Sequence, residues 1–269
     1  MTDSLALAPF EPTRFERYLS QQNTTLGRPC HYLAVTGSTN DDLMTMAAQG
    51  APHGTLVVAD LQTQGRGRQN NRWSSPRAAE NLLFSVLLRP NFALETVSSF
   101  TLAVGLALRD ALARHVSVPL QIKWTNDLYA KERKLAGILV ESTLCGNHLS
   151  ALVVGIGLNV HMTKLPQEIS SIATSLAMLE TRVLDRELLL AQCLKSLEVR
   201  ATEYERSAIS GIIAELREHD AILDKRVTVG DKQGIARGLD DDGALLLETV
   251  VGQPPERLTT GLVVVQRQP

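Results

Sequence analysis

Four arginines, Arg66, Arg68, Arg72 and Arg77, fall in one polar stretch, 62–77, that contains no aspartate or glutamate. A guanidinium binds phosphate or carboxylate oxygens through paired hydrogen bonds, so an arginine cluster without local counter-ions reads as an anion clamp. Gly65 and Gly67 alternate with the first two arginines and let a ligand approach the main chain closely. The stretch is neither G-x-x-x-x-G-K-[ST] nor G-x-G-x-x-G, because Asn70 stands at the last glycine position of the second pattern. A solvated basic loop, or one gripping a nucleic-acid backbone, is the competing reading of composition alone.

Four further segments carry usable groups. Lys123-Trp124-Thr125-Asn126-Asp127 puts a carboxylate at the end of a strand, where a turn is the plain reading and a magnesium ion shared with phosphates the functional one. Lys134 opens an otherwise apolar strand in which Gly137 offers close approach, so its ammonium either faces water or meets a substrate carboxylate. Ser38-Thr39-Asn40 supplies hydroxyl and amide groups at a helix start, where capping is the simpler explanation and Ser38 with Asp41 resembles a capping box. Gly155-Ile156-Gly157-Leu158-Asn159 leaves room for a ring or marks a tight strand. Trp73 and Trp124, the only tryptophans, flank these motifs as candidate walls. No Ser-His-Asp or Cys-His set is evident, and the six histidines have no zinc-site spacing.

The elements that must position these groups are legible from periodicity. A weak helix is predicted around Thr13–Gln22, and a strand at His31–Val35 precedes a helix running from Ser38 towards Gly50. Strands follow at Thr55–Asp60 and Asn81–Arg89, then a helix at Ser98–His115 and a strand at Gln121–Trp124. Lys134–Ser142 and Leu149–Asn159 read as a hairpin turning at Gly146-Asn147, and Asp185 to about His219 as a helix interrupted near Gly211. From Lys225 onward, Arg226–Val229, Gln233–Gly238, Ala244–Thr249 and Gly261–Val265 are short strands between Gly, Asp and Pro turns, the texture of a small antiparallel barrel.

Composition bounds the function. A net charge of −2 leaves no global basic field for nucleic acid or an anionic membrane, so any positive site is local. Cys30, Cys145 and Cys193 cannot all pair and form no C-x-x-C, as expected of thiols in a reducing cytosol. Met1–Phe10 has no basic region followed by an apolar block, and the runs Ala151–Val160 and Leu188–Leu194 fall short of the ~20 residues of a span. The expected setting is cytoplasmic.

The order of the motifs is more informative than any one of them. S-T-N, Q-x-x-G-R-G-R-x-x-x-R-W, K-W-x-N-D-L-Y, K-L-A-G-I-L-V-E and G-I-G-L-N-V, in that succession, resemble the catalytic domain of biotin protein ligases across about residues 31–160. The resemblance implies an α/β (α+β) fold: a mixed-sheet catalytic domain like that of class II aminoacyl-tRNA synthetases over 1–220 and a small SH3-like β-barrel over 221–269. It implies that Ser38, Thr39, Asn40 and Gln62 bond the ureido ring of biotin, and that Gly137, Gly155 and Gly157 make room for the bicycle. Gly65, Arg66, Gly67 and Arg68 would form a loop over biotin and its adenylate. Lys134, with Arg66, Arg68 and Asp127, would serve catalysis. Arg68, Arg72, Trp73, Lys123, Asn126, Asp127 and Asn159 would line the nucleotide side, with Asp127 towards magnesium.

ATP, magnesium and biotin are the implied substrates and activator, with no tightly bound cofactor. The implied partner is the biotin carboxyl carrier protein of a carboxylase, without DNA or membrane, and a homodimer is an option. The segment before the first motif is too short for the helix-turn-helix domain of ligase-repressors. Thr125 stands where the family has proline, Asn70-Asn71 where it has glycine and a basic residue, and Leu262 where an acidic residue is common. A lipoate or octanoate transferase, a non-catalytic biotin sensor and an RNA-binding protein are the rival readings. The G-R-G-R run, the joint presence of Lys134, Arg66 and Arg68, and the net charge respectively weigh against them.

Overall fold

The computed structural model describes residues 8–146, 148–180 and 183–266, and the side chain of Asn70 lies outside the description. So do Asn147 of the expected hairpin turn and most of the Met1–Phe10 leader. Seven strands form a mixed sheet in the order β1-β2-β3-β7-β6-β5-β4. They are β1 (Cys30–Thr36), β2 (Leu56–Gln62), β3 (Asn81–Leu88), β4 (Leu120–Lys123), β5 (Asp127–Ala130), β6 (Arg133–Cys145) and β7 (His148–Asn159). Only β1 and β2 run parallel; every other pairing is antiparallel.

Side-chain alternation divides this sheet into two unlike faces. Leu56, Val58, Leu82, Phe84, Val86 and Leu88 face the main core, with Phe15, Phe100, Ala103, Val104 and Leu190. That core packs against α1 (Pro12–Gln22), α3 (Val97–Leu112) and α5 (Arg186–Ser207). On the opposite face Val57, Leu87, Ala151 and Val153 meet Leu43 of a single helix, α2 (Thr39–Ala48), in a small second cluster. One short helix cannot cover a seven-stranded sheet, and the uncovered part of this face becomes the floor of the site.

The stretch Leu94–His115 has the length and hydropathy of a membrane span, which the sequence reading passed over. It is mostly buried, and Phe100, Leu106 and Leu108 lie in the main core, so its apolarity is accounted for by packing. Beyond α5 come a 3₁₀ turn at Ala208–Gly211 and α6 (Ile213–Glu218), matching the interruption expected near Gly211. A four-residue helix, α4 (Leu176–Leu179), lies in a segment the sequence left unassigned.

The C-terminal strands β8 (Arg226–Val229), β9 (Lys232–Leu239), β10 (Leu245–Glu248), β11 (Glu256–Leu258) and β12 (Val263–Val265) form an antiparallel sheet ordered β11-β10-β9-β8-β12. β11 and β5 are the strands that the sequence reading lacks: β5 directly continues the turn at Asn126, and β11 directly follows two prolines. Val227, Leu245 and Leu247 join the same apolar cluster as the large sheet.

Candidate functional site

Strand register builds the floor. Leu83, Gly157, Gly137 and Asp127 lie in one row across β3, β7, β6 and β5. Ser85, Gly155 and Leu139 form the next row, and Leu87, Val153 and Glu141 the one beyond. Alternation keeps these side chains on the α2 face. The glycines flatten the floor so that other side chains can lie on it. A Cβ at Gly157 would sit 2.4 Å from Trp73 Cε2, and one at Gly155 only 2.0 Å from Asn40 Oδ1. Trp73 and Asn40 therefore lie directly against these two glycines, which also line the cavity.

The N-terminus of α2 forms one wall. Ser38 is the N-cap residue but makes no side-chain cap bond, so the expected capping box is absent. Gln62 Oε1 accepts from Thr39 N at 2.7 Å and from Thr39 Oγ1 at 3.0 Å. The Ser85 hydroxyl sits between Thr39 Oγ1 (2.7 Å) and Asn40 Oδ1 (2.5 Å). Asn40 Nδ2 donates to Glu141 Oε2 at 2.7 Å. Ser38, Thr39 and Asn40 are each under 5% exposed, which polar groups tolerate when they satisfy one another.

The arginine loop folds over this floor as a narrow excursion. Gly67 N donates to Asn71 O, Trp73 N donates to Gly65 O, and Arg66 and Arg72 are bridge partners. Gly65 is buried in this hairpin and does not line the cavity. Acidic partners absent from the loop's own sequence arrive from elsewhere. Arg66 Nη1 and Nη2 donate to Glu141 Oε1 (2.9 Å) and Oε2 (2.6 Å), and Nη2 also pairs with Asp41 at 2.6 Å. Burial alone would lower the Arg66 pKa, but the bonds and charges of Glu141 and Asp41 outweigh it and hold the guanidinium above its usual value. Arg68 Nη2 donates to Thr260 Oγ1 at 3.2 Å, and burial lowers its pKa against the opposing charge of Asp127. Arg77 lies outside the cavity, mostly exposed and 3.8 Å from Glu80, so it is no part of a clamp.

Lys134 completes the opposite wall. Its backbone is held on both sides, by Ile172 O and Thr174 N, and its Nζ lies 2.7 Å from Asp127 Oδ1 and 5.6 Å from the Trp73 ring centre. Asn126 ends the turn from Trp124 and donates to Ile138 O, while Asp127 opens β5 and so belongs to a strand as well as a turn. Among the described residues no three His, Cys, Asp or Glu side chains cluster around a potential metal position. Asp127 Oδ1 is buried and, despite the nearby ammonium, makes no aligned hydrogen bond. A lone carboxylate of this kind fits a magnesium ion whose other ligands are phosphates and water.

Ser38, Thr39, Asn40, Gln62, Arg66, Gly67, Arg68, Arg72, Trp73, Asn126, Asp127, Lys134, Gly137, Gly155 and Gly157 thus line a single cavity. Lys123 and Asn159 do not. Lys123 is buried beside Tyr129, its pKa lowered by burial, and Asn159 donates to Thr174 O. Trp124 is also displaced from the expected aromatic wall; it is 3% exposed and donates to Gly243 O of the C-terminal sheet. Ser85, Glu141, Asn71 and Leu262 are cavity or cavity-wall residues given no site role from sequence. Glu141 closes the K-L-A-G-I-L-V-E segment, and Ser85 is the one hydroxyl in the apolar run of β3, which are the signals that could have found them.

Comparison with known proteins identifies the family. Residues 32–159 match the Biotin/lipoate A/B protein ligase family, and residues 222–263 match the Biotin protein ligase C terminal domain. The biotin--[acetyl-CoA-carboxylase] ligase of Mycobacterium tuberculosis is 35% identical over 249 residues, covering 88% of this chain and 91% of that protein. The bifunctional ligase/repressor BirA of Escherichia coli is 31% identical, over 80% of this chain and 68% of its own. The Aquifex aeolicus biotin protein ligase in complex with biotin and ATP superposes with a TM-score of 0.76 at 28% identity, covering 90% of this chain and all of that one. With the motifs, the mixed sheet and the likeness to whole proteins in accord, the chain belongs to the biotin protein ligase family.

Proposed function

We propose that this chain is an ATP-dependent biotin protein ligase that forms biotinyl-5'-AMP and transfers biotin to a lysine of a biotin carboxyl carrier protein. The observation that carries the site assignment is the convergence of Arg66, Arg68, Lys134 and Asp127, from three separate segments, on the cavity walled by Ser38, Thr39 and Asn40. A carboxylate oxygen of biotin attacks the α-phosphorus of ATP; the bond to the β-phosphate oxygen breaks and pyrophosphate leaves. Both reactants are anions, so the step needs positive charge and alignment and no enzyme nucleophile. Lys134 and Arg68 supply that charge within the cavity.

Asp127 is the residue that would hold a magnesium ion, which would supply charge neutralisation at the phosphates. Ser38, Thr39, Asn40 and Gln62 present the polar side for the ureido ring. Gly155 and Gly157 set the depth of the floor, with Gly137 beside them. Gly65 and Gly67 shape the arginine loop, and Arg72, Trp73 and Asn126 face the nucleotide, with Lys123 and Asn159 supporting from behind. The loop shields the mixed anhydride from water until a neutral carrier lysine attacks the acyl carbon and AMP departs, with Asp127 placed to take up a proton.

In this reading residues 1–220 form the catalytic domain and 221–269 the small barrel. The proposed setting is the cytoplasm, with neither DNA nor membrane as partner, and a homodimer is the assembly to check by light scattering. Incubation with biotin and ATP is expected to release pyrophosphate, and added carrier domain to gain one biotinyl group on a lysine. Pyrophosphate release that does not depend on biotin, or that lipoate supports instead, would overturn the assignment.

A further inference from the structure

We propose that Glu141 is a positioning residue that fastens the arginine loop to the Asn40 wall, so that loop closure and shaping of the polar pocket are one event. The inference rests on the ligase reading above and adds to it a residue for which that reading has no role. One carboxylate joins three distant segments: Oε1 and Oε2 accept the Arg66 fork at 2.9 and 2.6 Å, and Oε2 also accepts Asn40 Nδ2 at 2.7 Å.

The geometry leaves Asn40 little freedom. Its Oδ1 faces the Ser85 hydroxyl, and Gly155 lies beneath it so closely that a Cβ there would come within 2.0 Å of Oδ1. Asn40 Nδ2 donates to Glu141 Oε2 at 2.7 Å and, at the longer 3.4 Å, to Leu139 O, so Glu141 is the nearer acceptor that fixes how this amide presents itself. Asp41, the residue after Asn40 in α2, also reaches Arg66, but it is 57% exposed against 25% for Glu141, whereas Glu141 also bonds the Asn40 amide itself. Water screens the more exposed pair more strongly, so the Glu141 contact is the one that holds. When Arg66 leaves with an opening loop, Glu141 loses its charged partner and its carboxylate is no longer held in place as the nearer acceptor of the Asn40 amide. The two ends of the cavity respond together.

Steady-state kinetics on the whole chain test this with Glu141→Gln, Arg66→Ala and the double variant. Glutamine keeps the volume and one acceptor for Asn40 but cannot accept the guanidinium fork. The expected result is a KM for biotin raised about tenfold, with KM for ATP within about twofold of wild type. Labelling of bystander lysines should rise as the adenylate escapes, and the melting temperature should stay near that of wild type. Because both substitutions break the same fastening, the double variant is expected to be no worse than the poorer single variant. Penalties that multiply in the double variant, KM values for biotin and ATP that rise equally, or an unchanged KM for biotin would each overturn the proposal. Wild-type protein that releases no biotin-dependent pyrophosphate would instead overturn the ligase reading, and the fastening with it.

Discussion

At the scale of single residues, charge placement governs the site. Lys134 Nζ sits between a carboxylate and an indole face, with its backbone pinned on both sides, so its ammonium is preorganised. Lys134→Ala is expected to lower the rate of adenylate formation by about 10²–10³, the usual loss for one preorganised donor at a developing charge. Because the side chain is about one third exposed, the melting temperature should change little; single-turnover pyrophosphate release and a thermal melt measure the two effects. Arg68→Gly removes the bond to Thr260 and frees the loop. Mass spectrometry of a mixture containing a bystander protein is then expected to find biotin on non-carrier lysines. G-R-G-R and Lys134 were legible in the sequence because their residue types are unusual where they stand. Ser85 and Glu141 were not, since each acts through side chains of α2 or the arginine loop that are far away in the sequence and become neighbours only in the fold.

Elements set the depth of the cavity. The row Leu83–Gly157–Gly137–Asp127 exists because four strands align, and Trp73 can rest on it only where side chains are missing. Gly157→Ala would drive a methyl group into the indole at 2.4 Å. Overpacking of this kind costs about 1–3 kcal/mol, and the ring is the part most able to move. The expected outcome is a shifted tryptophan emission together with a raised KM for biotin; an unchanged spectrum and KM would show that the ring does not rest there. Long elements were read from the sequence nearly to their ends, as with Asn81–Arg89 against β3 and Ser98–His115 against α3. Two of the short strands were not. The four residues of β5 look like the tail of a turn, and the three of β11 follow two prolines.

On the scale of the whole molecule, one buried ion pair ties the N-terminal segment, the sheet and α5 together. Arg186 Nη1 meets Asp60 Oδ1 at 2.9 Å with both side chains about 5% exposed or less, and Asp60 also accepts from Phe10 N and Tyr32 Oη. Arg186→Met strands the carboxylate in the interior and is expected to lower stability by about 3–5 kcal/mol in urea unfolding. A second global effect concerns pH. His161 Nε2 bonds Leu184 O, while Nδ1 is buried without a partner, and burial pulls the imidazole pKa below its ordinary 6.5. In the unfolded chain His161 takes up a proton at a higher pH than in the fold, so stability should decline as pH drops below about 6.5. His161→Gln is expected to flatten that decline, as read from melting temperatures between pH 7.5 and about 5. The two sheets were both legible in outline. Their shared apolar cluster was not, because periodicity reports which face of an element is apolar and not what it meets.

The β11–β12 connection reaches from the small sheet into the cavity, where Leu262 forms part of the lining and Thr260 receives Arg68. A polypeptide emerging from the ribosome would have fashioned the glycine floor, the polar wall and the arginine hairpin well before these residues were translated. The reaction chamber is finished only by residues of the small sheet, Thr260 standing 192 positions beyond Arg68 in the chain. A nascent chain therefore lacks a full enclosure for the reactive anhydride, and premature termination inside the small sheet should yield a leaky or silent enzyme.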